Sequence, residues 1–175
     1  MFQPNRRQFT LALTATLAGC ATTGSVQDGS TVGAGQGLLA LQLSANRLGL
    51  LNFNPWGESS FGARFAENMV GAKGSLQFID GDRYLVLPVD AGEYMWTKLT
   101  VGNQFAWLLN STRFRVRPGV VTYIGHLRLS VDGSRFGLIV RDREQDMRDH
   151  LQQHFPTFSA RMPFEKVLAE VRLNG

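Results

Sequence analysis

The fold class read from the sequence is mainly β: an antiparallel β-sandwich, Ig-like or transthyretin-like, with two short C-terminal helices. Three observations predict it. Apolar and polar residues alternate with a period of two through most of the body, as in a strand with one buried face. Turn-forming Gly, Asp, Asn and Pro break this pattern at short, regular intervals. After Arg141 the character changes, and apolar residues fall at helical spacing.

The elements follow in order. Leu39, Leu41 and Leu43 alternate with Ala40, Gln42 and Ser44 in an opening strand. Residues 54–72 read least clearly: Asn54-Pro55-Trp56-Gly57 turns, Ser59-Ser60 continues a loop, and 61–70 suits a strand or a short helix. Residues 75–79 form a short strand, Gly81-Asp82 a turn, and 84–89 the next strand. Asp90-Ala91-Gly92 reads as a hairpin turn, after which 93–101 returns. Gly102-Asn103-Gln104 turns again before runs at 105–109 and 112–117. Pro118-Gly119 makes a tight turn into the longest strand, 120–131. Asp132-Gly133 then suits a two-residue hairpin, because both positions tolerate positive φ, and 135–140 pairs back. A partly closed barrel is the alternative architecture. Residues 142–154 lack Gly and Pro, and Met147, Leu151 and Phe155 make one apolar stripe that Pro156 ends. Pro163 opens a second helix, with Phe164, Val167, Leu168 and Val171 on one face. These helices pack on one sheet face or one end of the sandwich.

The first residues read differently. Arg6 and Arg7 form a positive patch, and a short, mildly apolar run with Leu11, Leu13 and Leu17 follows. The run is shorter than the roughly 20 residues of a membrane-spanning helix and has the layout of a secretory signal. Small Ala18 and Gly19 precede Cys20, the only cysteine. Leu17-Ala18-Gly19-Cys20 resembles the lipobox of bacterial lipoproteins. That resemblance implies cleavage after residue 19, acylation of Cys20 and, with Ala21 rather than Asp next, the periplasmic side of the outer membrane. A single cysteine forms no internal disulfide, and acylation removes a thiol that an oxidising compartment would attack. Asn5-Arg6-Arg7-Gln8-Phe9-Thr10-Leu11 also resembles a twin-arginine export signal, with Asn5 in place of Ser or Thr and no later lysine. That route and the general secretory route both remain open.

The expected organisation is therefore a signal peptide at 1–19, a lipid-anchored flexible linker at 20–37 and a β-sandwich domain with C-terminal helices at 38–175. The linker is rich in Gly, Ser and Thr and poor in bulky apolar residues, so burial offsets little of its ordering entropy. The chain carries a net charge of +4, and loss of Arg6 and Arg7 with the signal leaves about +2. This is too little basicity to argue for nucleic acid.

Leu87-Pro88-Val89-Asp90-Ala91-Gly92-Glu93-Tyr94 and Phe114-Arg115-Val116-Arg117-Pro118-Gly119, continuing through Tyr123-Ile124-Gly125, carry a second resemblance. They are similar to small proteobacterial outer-membrane lipoproteins of uncharacterised function. The resemblance covers about the central third of the chain and implies a β-domain and an envelope address, not a chemistry.

Each candidate site also has a plainer reading. Arg113, Arg115 and Arg117 alternate with Phe114 and Val116, so in a strand the arginines share one face. His126 and Arg128 take the outward positions of the following strand, with Tyr123, Leu127 and Leu129 pointing the other way. Across a hairpin these residues would form a basic strip for an anionic envelope component or an acidic protein. The plainer reading is a solvated face that deters edge pairing. Asp146, His150 and His154 fall on one helix face at spacing compatible with a metal, but the sequence lacks the His-Glu-x-x-His arrangement. A solvated face beside Arg148 is the favoured reading, and no cofactor is expected. Trp56, Trp96 and Trp107 suit a sugar or peptide groove, although Trp96 has the setting of a core residue. Gly57-Glu58-Ser59-Ser60-Phe61-Gly62 is not a serine-nucleophile elbow. The leading functional expectation is a non-catalytic, lipid-anchored protein-interaction or assembly module. A small-ligand or glycan binder is the second, and a metal-dependent enzyme using the C-terminal histidines the third.

Overall fold

The computed structural model describes residues 25–56, 72–108 and 112–171. The cysteine, the signal, Gly57 to Gly62 and the ambiguous run at 61–70 lie outside them. The described residues form two packed sheets with helices on the outer face of one, as the β-sandwich reading expects.

The first sheet contains β1 (Gln36–Ala45), β4 (Gly81–Asp90), β8 (Val121–Asp132), β9 (Arg135–Arg141) and β10 (Phe164–Lys166). The second contains β2 (Gly49–Pro55), β3 (Gly74–Phe78), β5 (Gly92–Val101), β6 (Gln104–Trp107) and β7 (Phe114–Val116). Pairing in the second sheet is antiparallel throughout. The first sheet is mixed: β1 and β10 both run parallel to β8, while β4 and β9 pair antiparallel. The expected all-antiparallel sandwich is corrected here. Parallel neighbours need a long connection, and between β1 and β8 the chain passes through the entire second sheet.

Asp90-Ala91-Gly92 is likewise not a hairpin. It carries the chain from β4 in one sheet to β5 in the other. The same switch occurs at Gly81 and at Pro118-Gly119. The turns at Gly102 and Gly133, both with positive φ, are true hairpins joining β5 to β6 and β8 to β9.

β1 shows why the fold has three layers. Its interior is buried on both faces. Leu39, Leu41 and Leu43 point into the core between the sheets. Leu38 and Ala40 point the other way, into a second cluster with Val86, Tyr123, Met147, Leu151, Phe155 and Phe158. The last four lie on or between α1 (Glu144–His154) and α2 (Pro156–Arg161). Fully burying one such side chain contributes about 1.5–3 kcal/mol, so the helices are part of the domain's stability.

The C-terminus corrects a further expectation. Pro156 does not merely end the first helix; it occupies the first turn of α2, where its missing N–H costs nothing. Pro163 opens β10 and an extended tail rather than a helix. Val167 and Ala169 donate backbone hydrogen bonds to the Tyr123 and Ile124 carbonyls. The Trp96 indole N–H donates to the Ala169 carbonyl at 3.1 Å.

Residues 25–35 also lie on the body rather than in a free linker. Val26 and Val32 pack on the second cluster, and Val26 donates its N–H to the Val86 carbonyl. The Asp28 carboxylate accepts N–H bonds from Thr157 and Phe158, capping α2. The described part of the expected 20–37 linker is therefore docked.

Candidate functional site

The outer face of the first sheet changes character along its strands. Under the helices it is apolar. Beyond the start of α1 it turns polar. On β1 this face reads Leu38, Ala40, Gln42, Ser44, and the switch falls between Ala40 and Gln42. Register then assembles two rows across four strands. One is Asp82, Ser44, Arg128 and Ile139; the other is Tyr84, Gln42, His126 and Arg141.

A bulge makes the second row possible. Between Ala40 and Gln42 the β1–β8 register shifts, so that Ile124 and Gly125 together face Leu41. Gly125 has φ 112°, and a Cβ there would lie 2.5 Å from Val140 Cγ1. Tyr123, expected opposite to His126, therefore shares its face, and Ile124, Leu127 and Leu129 point into the core.

Asp82, Ser44 and Arg128 of the first row and His126 and Arg141 of the second line a cleft of about 380 Å³, with Ser130 and Arg143 among others. His126 is buried, with 6% of its surface exposed. Its Nε2 and the Ser44 Oγ hydrogen-bond at 2.8 Å, while its Nδ1 is buried without a partner among the described residues. The Tyr123 hydroxyl, buried beneath the helices and pushed up to about 12 by that burial, accepts the Arg143 N–H at 2.8 Å. That bond fixes the start of α1 and with it the position of Arg143 at the cleft. Asn46 uses both ends of its amide on the Val131 backbone, tying the β1 exit to β8.

The charge distribution separates this cleft from the expected basic strip. Arg115 is bonded to Glu93 at 2.6 Å, Arg113 reaches the same carboxylate at 3.7 Å, and Arg117 pairs with Glu165 at 3.5 Å. Arg113 also stacks on Trp56. Nor does the strip continue onto Arg128: β7 pairs with β5 in the second sheet, and Arg128 lies on β8 in the first. Arg128 and Arg141 make no ion pair among the described residues, although both line the cleft. Arg143 bridges Asp146 at 3.2 Å.

Asp146, His150 and His154 do not converge on a common point. Asp146 is held by Arg143, and the His150 ring stacks on Tyr84 at 4.2 Å with His154 at 4.5 Å. No group of three His, Cys, Asp or Glu suited to a metal occurs among the described residues. The three tryptophans take separate roles. Trp96 is fully buried, Trp56 lies under Arg113, and Trp107 packs beside Phe105 and Lys98. No described helix is long and apolar enough to cross a membrane.

Burial holds the His126 imidazole below its ordinary pKa. Asp82 opposes that effect; Arg143, Arg141 and Arg128 reinforce it. Burial and His154 lower His150 in the same way. Unfolding restores the ordinary pKa of about 6.5, so below it the unfolded chain binds more protons than the folded one. The stability that these neutral imidazoles contribute is thus present above about pH 6.5 and lost as the pH falls through their lower folded values. Asp90, Asp142 and Glu144 are held low by hydrogen-bonded partners, chiefly Gln36 and Lys73 for the first and Lys166 for the others, so they stay ionised in this window. The melting temperature is expected to fall between about pH 7.5 and about pH 5, with a shallower fall in His150→Gln. A flat profile in the unsubstituted protein would contradict the assignment.

No family model, curated protein or solved structure matches the chain. The site therefore rests on its own geometry.

Proposed function

We propose that this chain is a lipid-anchored envelope protein whose sandwich domain binds a small anionic ligand in the cleft on the first sheet. The observation that carries the binding part is the pairing pattern. The arginines of the 113–117 strip are matched by acids of their own domain, whereas Arg128 and Arg141, beside buried His126, make no ion pair among the described residues. A guanidinium fork suits phosphate or carboxylate oxygens, and the cleft volume lies in the small-ligand range. The anchor rests on the lipobox resemblance at Cys20. The address that follows from it is the periplasmic side of the outer membrane.

An assembly role through the basic strip fits less well, because a partner would have to displace Glu93 and Glu165. An enzyme using Asp146, His150 and His154 would first have to free Asp146 from Arg143.

Two measurements test the proposal. Alkyne fatty-acid labelling should mark the full chain and fail in Cys20→Ser; equal labelling would refute the anchor. Calorimetry of the purified full chain with inorganic phosphate should give salt-sensitive binding, weakened roughly 100-fold or more in R128Q/R141Q, as loss of two charge-assisted contacts of about 1.5 kcal/mol or more each implies. Unchanged affinity in the double variant would refute the cleft. Both side chains are exposed, so the variant keeps its fold.

A further inference from the structure

We infer that the ligand is a sugar phosphomonoester, its phosphate on Arg128 and Arg141 and its hydroxyls reaching Ser44 and Asp82. This deepens the proposed reading and rests on its premise that the cleft takes an anion.

The cleft has two poles. Arg128 on β8 and Arg141 on β9 form the cationic one. Asp82 on β4 is the other, exposed and without an ion pair among the described residues. Ser44 stands between them on β1, opposite Asp82 on one side and Arg128 on the other. Adjacent strands lie about 4.8 Å apart, so two spacings put the backbones that carry Asp82 and Arg128 about 10 Å apart, with the Arg141 strand one spacing further. A bare phosphate held by the arginines leaves Asp82 without a donor. A polyphosphate would place charge against Asp82, where like-charge proximity is unfavourable.

A carboxylate accepts hydrogen bonds and has none to give. What satisfies it is a donor, and a sugar ring bearing a phosphate supplies hydroxyl donors at one end and an anion at the other. The neutral polar groups in the middle agree. The Ser44 hydroxyl and the His126 ring already bond at 2.8 Å, and Ser130 adds a second hydroxyl to the lining. At about 380 Å³ the cleft has room for one ring with its phosphate. Ligand chemistry alone leaves two sources, a free sugar phosphate and the phosphorylated headgroup of a glycolipid.

Calorimetry of the full chain with glucose 6-phosphate, inorganic phosphate, glucose and phosphoethanolamine tests the inference. Glucose 6-phosphate should bind at least about tenfold tighter than inorganic phosphate, and glucose alone weakly. Asp82→Asn should narrow that gap and leave inorganic phosphate no weaker. Equal affinity for the two phosphates, both lost in R128Q/R141Q, would overturn the sugar assignment and leave the anion site standing. Tighter binding of phosphoethanolamine would overturn it too, because Asp82 would then be an ammonium site. Absence of binding by either phosphate would overturn both readings. Vesicles of phosphatidylcholine with and without monophosphoryl lipid A, offered to the Cys20→Ser chain so that its own acyl anchor does not insert, separate the sources. Glycolipid-dependent capture that glucose 6-phosphate reverses assigns the headgroup; no capture, with soluble binding intact, assigns the free sugar phosphate.

Discussion

Replacing Trp96 with alanine is expected to cost about 3–5 kcal/mol, enough to unfold much of the population of a marginally stable domain. Trp96 is fully buried at the centre of the inter-sheet core. Its ring meets Phe53 edge-on at 5.9 Å and packs on Phe114 at 5.0 Å. Its indole also holds the C-terminal tail, so truncation removes the Ala169 carbonyl's donor as well as opening a cavity. Trp96→Phe keeps much of the packing and loses the donor, and should fall between the two. Urea titration followed by circular dichroism measures both. Wild-type-like midpoints for Trp96→Ala would mean that the tail does not close the sandwich through this residue.

The second large effect is expected at Gly125. Its φ of 112° lies where an L side chain is strained by on the order of 1–3 kcal/mol. A Cβ at 2.5 Å from Val140 Cγ1 adds steric overlap that a shift of the Val140 side chain or of β9 must relieve. Gly125→Ala should therefore lower stability by roughly 2–4 kcal/mol. Because the bulge turns His126 toward the cleft, the variant should also lose phosphate binding under conditions where it remains folded. Val140→Ala should recover part of the stability. Full phosphate affinity in folded Gly125→Ala would show that the bulge does not set the site.

Both positions show what the chain discloses on its own. Trp96 sits in an alternating run, and its burial follows from that pattern. The strands at 84–89, 93–101 and 120–131 were legible for the same reason, as was the hairpin at Asp132-Gly133. Sheet membership was not. Asp90-Ala91-Gly92 has the residues of a reversal, but local turn chemistry does not say whether the returning strand joins the same sheet. The β1–β8 pair joins residues about 80 positions apart through a parallel ladder, and no local pattern encodes it. β2 was missed although Leu51 and Phe53 alternate with Leu50 and Asn52, because Asn54-Pro55 reads as a turn.

The site was legible only in fragments. His126 and Arg128 stood out as outward residues, but a one-residue bulge moved Tyr123 onto their face. Ser44, Asp82 and Arg141 come from three other strands, and nothing in their own neighbourhoods marks them. One usable signal existed: on β1, Gln42 and Ser44 continue the face that Leu38 and Ala40 begin. That apolar-to-polar switch shows where the helix cover ends. The basic strip failed for the complementary reason. Arg113 and Arg115 are drawn to Glu93 by the β5–β7 pairing, a neighbour some 20 residues away.

The central claim is that the anion site lies at Arg128 and Arg141, which pair with no acid among the described residues, and not at the paired arginines of the 113–117 strip. Nitrogen-15 spectra of the arginine Nε–H groups, recorded on the full chain during titration with inorganic phosphate, test it most directly. The Arg128 and Arg141 signals should shift with saturation while those of Arg113, Arg115 and Arg117 stay in place. Shifts confined to Arg113, Arg115 and Arg117, with Arg128 and Arg141 unmoved, would contradict the account.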